Sequence, residues 1–238
     1  MIHGSKHSRK AEIIVALDEP SLGDAQRLMD RLAGHADFYK VGLQLFTAAG
    51  SAALDAVKAR GARVFLDLKL HDIPNTVASA VRSAVDLGVD MCTIHLSGGP
   101  EMAAAAVAAA GGSTAILGVT VLTSSNQATL EACGVHGSVG EQVMRLASMG
   151  RAAGVRGFVA SALELPMLRA ELGHDPLLVI PGVRPAGADV GDQKRTATPT
   201  EVVAEGADYL VVGRPISRAP DPAAAYDAIL GEIKELEI

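Results

Sequence analysis

Five ionisable residues stand at or just beyond short apolar runs in the first third of the chain: Asp18, Lys40, Asp67, Lys69 and Asp72. Asp67 and Lys69 lie two apart in Phe65-Leu66-Asp67-Leu68-Lys69-Leu70, so in an extended strand they share one face while Leu66, Leu68 and Leu70 take the other. An isolated Asp-x-Lys is most simply an ion pair at a strand end. Two acids and a base within six positions, with Asp18 and Lys40 ending two further apolar runs, gather several charges at one rim, and stability alone seldom calls for that. The set reads as an acid–base site.

A second group of residues suits an anion. Ile180-Pro181-Gly182-Val183-Arg184 and Val212-Gly213-Arg214-Pro215-Ile216 follow the last two apolar runs. Gly213 allows close backbone approach to an oxyanion, and an arginine offers paired charge-assisted hydrogen bonds, so the two loops together are read as a phosphate grip.

Eight β-rich apolar runs must position these residues: 13–17, 38–41, 64–68, 91–94, 116–121, 157–160, 177–180 and 209–212. Between most of them lies a stretch with helical spacing, such as Ala25, Leu28, Met29 and Leu32, or Val77, Val81, Val85 and Leu87. Continuous apolar runs such as Leu-Leu-Val-Ile imply strands buried on both faces, as in parallel sheets. Eight βα units without a composition break predict a single (β/α)8 TIM barrel over residues 11–238, with a doubly wound open sheet as the alternative. Both architectures put chemistry at the carboxyl ends of strands, where the charged residues fall. In the turn after residue 70, Pro74 sets the backbone for a helix, and Asn75 or Thr76 is expected to cap it.

The chain has 238 residues, 21 Lys+Arg and 27 Asp+Glu, a net charge of −6 that gives no electrostatic reason to expect nucleic acid. Hydrophobic residues make up 49% and charged ones 20%; the small-apolar run 102–110 is too short to cross a bilayer, and no membrane segment is expected. Cys92 and Cys133 are too far apart in sequence for a zinc spacing and too few for a disulfide framework, which fits a cytoplasmic setting. Residues 1–10 are basic and polar without the apolar core of a secretory signal, and are read as a disordered tail. The histidines share no metal-like spacing, and His95 is read as a scaffold residue as readily as a reactant. No dinucleotide or P-loop glycine motif occurs.

With these residues in view, the chain resembles the orotidine 5′-phosphate decarboxylases, of the longer-loop bacterial kind, over residues 11–238. The resemblance is carried by Val-Ala-Leu-Asp ending at Asp18, Phe-Tyr-Lys-Val-Gly with Lys40, Asp-x-Lys-x-x-Asp-Ile-Pro-Asn-Thr from Asp67 to Thr76, Val-Thr-Val-Leu-Thr-Ser with Thr123, Ile-Pro-Gly-Val-Arg-Pro with Arg184, Asp-Gln-Lys-Arg with Gln193, and Val-Gly-Arg-Pro-Ile with Arg214. It implies a homodimeric barrel that converts orotidine 5′-phosphate to uridine 5′-phosphate and CO2 without metal or organic cofactor. Asp18 and Lys40 would hold the ribose hydroxyls, and Lys40 would also touch the charge network. Asp67, Lys69 and the dimer partner's Asp72 would form an acid–base–acid array, with the partner's Thr76 on the ribose. Thr123 or Ser124 would face the pyrimidine. Gln193, Gly213, Arg214 and Arg184 would hold the phosphate, under a closing segment 184–198. A magnesium-dependent sugar-phosphate decarboxylase or aldolase of the same superfamily shares the Asp-x-Lys-x-x-Asp pattern, but those relatives place a metal-binding carboxylate where Lys40 stands. A catalytically silent phosphate-binding barrel would need only the two terminal loops.

Overall fold

The computed structural model describes residues 10–185 and 197–234. Eight strands, β1 (Glu12–Ala16), β2 (Phe38–Gly42), β3 (Arg63–Leu70), β4 (Met91–His95), β5 (Ala115–Val119), β6 (Gly157–Val159), β7 (Leu177–Pro181) and β8 (Tyr209–Val212), pair in parallel and in chain order. The last closes on the first, with Glu12 opposite Tyr209 and Val15 opposite Val212, so the sheet is a closed barrel and the open-sheet alternative falls. Helices lie between the strands.

Period-two alternation sorts the side chains into two cores. Ile14, Ala16, Phe38, Phe65, Met91, Leu117, Val179 and Val211 point inward and pack together, filling the lower barrel. The alternate residues, among them Val15, Val41, Leu66, Cys92, Ile94 and Leu178, face the helices in the second, larger core. Each inward large side chain fully withdrawn from water contributes roughly 1.5–3 kcal/mol.

Below this layer the barrel is closed by charge and aromatic packing. The Arg63 guanidinium sits 4.3 Å from the centre of the Phe38 ring, Phe38 meets Tyr209 edge-on at 5.8 Å, and Arg63 also pairs with Glu12 and Asp37. One device recurs at this end: Asp90, just before β4, accepts the Val64 N–H at 2.7 Å, and Asp208, just before β8, accepts the Leu178 N–H at 2.7 Å. Each aspartate thus ties the foot of its strand to the preceding one in chain or sheet order.

Helix starts follow local chemistry. Reciprocal Ser/Thr–Glu caps begin the segments after Ser138, Ser161 and Thr198. The helix Pro74–Asp86 differs from expectation: Ile73 is its N-cap, without a side-chain cap bond, and Pro74 opens the first turn, so Asn75 and Thr76 already lie inside the helix. The fixed φ of proline replaces the cap there. No helix among the described residues is long and apolar enough to cross a membrane.

Candidate active site

Above the apolar layer, the next inward position of several strands is polar. Asp18 stands two residues beyond Ala16, Lys40 beyond Phe38, Asp67 beyond Phe65, and Thr93 beyond Met91. The same alternation that fills the barrel therefore aims these groups into its mouth. They line, with Lys69, Thr123, Gly182, Arg184, Gly213 and Arg214, a cavity of about 420 Å³ at the carboxyl ends of the strands. Thr93, fully buried beneath it, is the exception and reaches the cavity only through its neighbours.

The charges form a continuous chain. Lys40 Nζ donates to Asp18 Oδ1 at 2.9 Å and lies 3.7 Å from Asp67 Oδ2. Lys69 Nζ donates to both Asp67 oxygens, at 2.8 and 2.9 Å. Thr93 Oγ1 donates to Asp67 Oδ1 at 2.9 Å. Burial pushes the Asp67 carboxyl up, but Lys40, then Lys69, and the hydrogen bonds from Lys69 and Thr93 outweigh it and hold the group below its ordinary value. Asp67 is thus a buried carboxylate that stays ionised, flanked by two ammonium groups.

Two backbone features make room for this arrangement. Lys69 has φ of 51°, the one non-glycine residue with positive φ among those described, a conformation costing roughly 1–2 kcal/mol in an L-residue. Gly42 sits against the lysine: a Cβ there would lie 2.8 Å from Lys40 Nζ and 3.2 Å from Asp18 Oδ1, so any side chain would displace the pair. Gly213, by contrast, has no tight neighbour, since a Cβ would come no nearer than 3.5 Å to Ala16. Its value lies in leaving backbone open to the cavity.

Within one chain, then, Asp18, Lys40, Asp67, Lys69, Thr123, Arg184, Gly213 and Arg214 converge. Thr123 lines the cavity, and the neighbouring exposed Ser124 does not. Asp72 and Thr76 are exposed outside it, with Asp72 Oδ1 accepting the Ile73 N–H at 2.6 Å. Gln193 lies outside the described residues, as does most of the segment expected to close over the phosphate. In the eight-strand ring β3 stands opposite β7, so Lys69 and Asp67 face the Arg184 loop across the mouth, while β8 adjoins β1 and sets Gly213 beside Asp18 at the other end of the acid–base chain.

Sequence reasoning passes over Thr93, Gly42 and Arg218. Thr93 shares the inward phase with Met91, and that was its only signal. Arg218 lines the cavity near the arginine-bearing loops, 3.7 Å from the buried Glu19. His95 packs against His71 with ring centres 5.5 Å apart, and burial, His71 and Lys69 push its imidazole below the ordinary value.

A closed parallel barrel with a charged acid–base cluster and arginine loops at its carboxyl mouth is the architecture of a barrel enzyme acting on a phosphorylated small molecule. Residues 11–229 match the family model described as "Orotidine 5'-phosphate decarboxylase / HUMPS family". The chain belongs to that family. A relative from Moorella thermoacetica named orotidine 5′-phosphate decarboxylase is 52% identical over 234 residues, covering 94% of this chain and 93% of that one. One of the same name from Halorhodospira halophila is 52% identical over 224 residues, covering 93% and 95%. The crystal structure of orotidine 5′-phosphate decarboxylase from Lactobacillus acidophilus superposes with a TM-score of 0.83 at 36% identity, covering 94% of this chain and 99% of that one.

Proposed function

We propose that this chain removes CO2 from orotidine 5′-phosphate to give uridine 5′-phosphate, the last step of pyrimidine nucleotide synthesis, with Lys69 as the proton donor. The observation that carries this reading is the Lys69 ammonium held by both oxygens of an ionised, buried Asp67, across the cavity mouth from Arg184 and Arg214.

The chemistry demands such a group. When the bond from C6 of the pyrimidine to its carboxylate breaks, the electron pair stays on C6 as an anion without a nearby electron sink. An ammonium already fixed beside that carbon stabilises the charge as it develops and then gives it a proton; solvent returns the proton to Nζ afterwards. A substrate carboxylate placed against Asp67 is repelled in the ground state and relieved as neutral CO2 leaves. The phosphate, held by Arg184, Arg214 and the backbone at Gly213, supplies binding energy far from the reacting carbon that aligns the ring against Lys69. Asp18 and Lys40 hold the ribose hydroxyls, and Thr123 faces the pyrimidine. Gln193 joins the phosphate grip in this reading.

A homodimer completes the site. Asp72 and Thr76 flank Ile73, which is 66% exposed on the barrel rim, so an acid and a hydroxyl border an uncovered apolar side chain that a second copy would bury. The partner's Asp72 then extends the acid–base–acid array, and sedimentation at assay concentration should show a species of twice the chain mass. The location is the cytoplasm, and the reaction uses neither metal nor organic cofactor. The alternative reading is a magnesium-dependent sugar-phosphate decarboxylase or aldolase of the same superfamily, but the lysine at position 40 puts an ammonium between Asp18 and Asp67, where it competes with a divalent ion.

Ultraviolet absorbance on adding orotidine 5′-phosphate to purified protein, with and without EDTA, tests the proposal. Chelator-insensitive conversion to uridine 5′-phosphate is expected. Turnover abolished by EDTA and restored by Mg²⁺ would instead place the chain with the metal-dependent group, and tight binding without turnover would make it a silent phosphate-binding barrel.

A further inference from the structure

The pairing between β3 and β4 is interrupted where the chemistry lies. Leu66 is opposite Cys92 and Leu70 is opposite Ile94, so four steps along β3 span two along β4, and Asp67, Leu68 and Lys69 all face the single residue Thr93. A bulge of this kind lets ladder hydrogen bonds lapse and requires an unusual backbone conformation, which Lys69 adopts. Its N–H would have no strand partner. It donates instead to Thr93 Oγ1 at 2.9 Å, and the same hydroxyl donates its only proton to Asp67 Oδ1 at 2.9 Å. The polarity is unambiguous, because an amide N–H can only donate and a hydroxyl has one hydrogen to give. Thr93 is fully buried, so water does not compete for either bond.

We propose that Thr93 is a positioning residue for the decarboxylation: one hydroxyl locks the Lys69 backbone in the bulge and orients the Asp67 carboxylate, so that base and acid are placed by a common support. This rests on the assignment of Lys69 and Asp67 above. A side chain that only filled space would be replaced by valine, which has the same shape. Valine leaves the Lys69 N–H without an acceptor and Asp67 without one of its donors, while serine keeps both bonds.

The test compares Thr93→Val, Thr93→Ser and Lys69→Ala with the full-length wild-type protein on orotidine 5′-phosphate, measuring kcat and KM from pH 4 to 9. Thr93→Val should lower kcat by about 100-fold with KM changed less than about threefold, and Thr93→Ser should recover most of that loss. The acid limb of kcat should also move to higher pH in Thr93→Val, because a donor that keeps Asp67 ionised is gone. Should the valine chain not fold, Thr93→Ala against Thr93→Ser carries the same contrast. Wild-type kcat in the hydroxyl-free variant, an equal loss in serine, or an unmoved acid limb would overturn the inference. An inactive wild type would overturn the functional assignment instead. An active wild type, a dead Lys69→Ala and an unaffected Thr93→Val would overturn the role of Thr93 alone.

Discussion

The two ends of this barrel handle buried charge in opposite ways. At the foot, Arg169 and Asp208 form a pair with both side chains about 9% exposed, at 2.6 Å. The arginine also donates to the carbonyls of Gly173, Pro176 and Gly206, and the aspartate accepts the Leu178 N–H. The charges there are enclosed by fixed backbone, and the pair ties the helix Leu165–Leu172 to β7 and β8. At the mouth, Lys69 remains 28% exposed and its partner Asp67 only 12%, so an anion is buried while the cation that balances it still faces the cavity. Backbone strain falls at the mouth as well. The foot holds its charges in place; the mouth keeps one available for a substrate, and a strained lysine is stable there only because the rest of the barrel determines it.

That contrast can be broken by removing one charge from each end. Lys69→Ala should lower turnover by at least about 1,000-fold, the combined loss of proton donor and charge stabilisation, while product binding measured by calorimetry changes far less. A parallel loss of binding would mean that Lys69 serves affinity. Asp208→Ala should do the reverse. It leaves Arg169 buried without its counter-charge and Leu178 without an acceptor, costing roughly 3–5 kcal/mol of stability by denaturant titration with kcat unaltered in the folded fraction. Unchanged stability would show the foot to be ordinary surface.

Two smaller effects sharpen the picture of the mouth. Arg214→Ala should raise KM for orotidine 5′-phosphate roughly 10- to 100-fold, from the loss of charge-assisted bonds worth about 1.5–3 kcal/mol, and inorganic phosphate should cease to compete well. Unaltered competition by phosphate would remove this arginine from the grip. The least effect concerns His95, whose neighbours include His71, Lys69 and Asp67. Because folding lowers its pKa, the unfolded chain takes up a proton more readily as pH falls through about 6.5, and stability declines with acidification over that range. His95→Gln should therefore lose less of its Tm between pH 7.5 and 5.5 than wild type, by a few degrees at most. Identical losses in the two proteins would refute it.

Much of this was legible in the amino-acid order. Eight apolar runs at βα spacing are enough to specify a parallel sheet covered on both faces and to favour a barrel, and the closure of β8 on β1 then removes the open sheet. All eight strands overlap the expected runs, although β3 extends to Leu70 and β5 begins at Ala115 and stops at Val119. The inward phase of Asp67 and Lys69 follows from a period of two, and the position of Arg184 and Arg214 after the last strands follows from chain order. These are local properties, set by a few adjacent residues.

What only the tertiary structure decided involves partners distant in the chain. Closure of β1 on β8 brings Asp18 beside Gly213. The bulge between β3 and β4 depends on which residues of two strands meet, and no pattern within either strand encodes that register. Thr93 was silent for the same reason: a threonine on an inward strand position commonly just packs, and its hydroxyl gains a purpose only when the Lys69 amide and the Asp67 carboxylate both come within hydrogen-bonding reach. The exposure of Asp72 and Thr76, away from the cavity of their own chain, agrees with what the family resemblance implied but could not be read from the residues themselves, because whether a residue after a strand turns into the barrel mouth or out of it is settled by the path of the loop and the helix it starts.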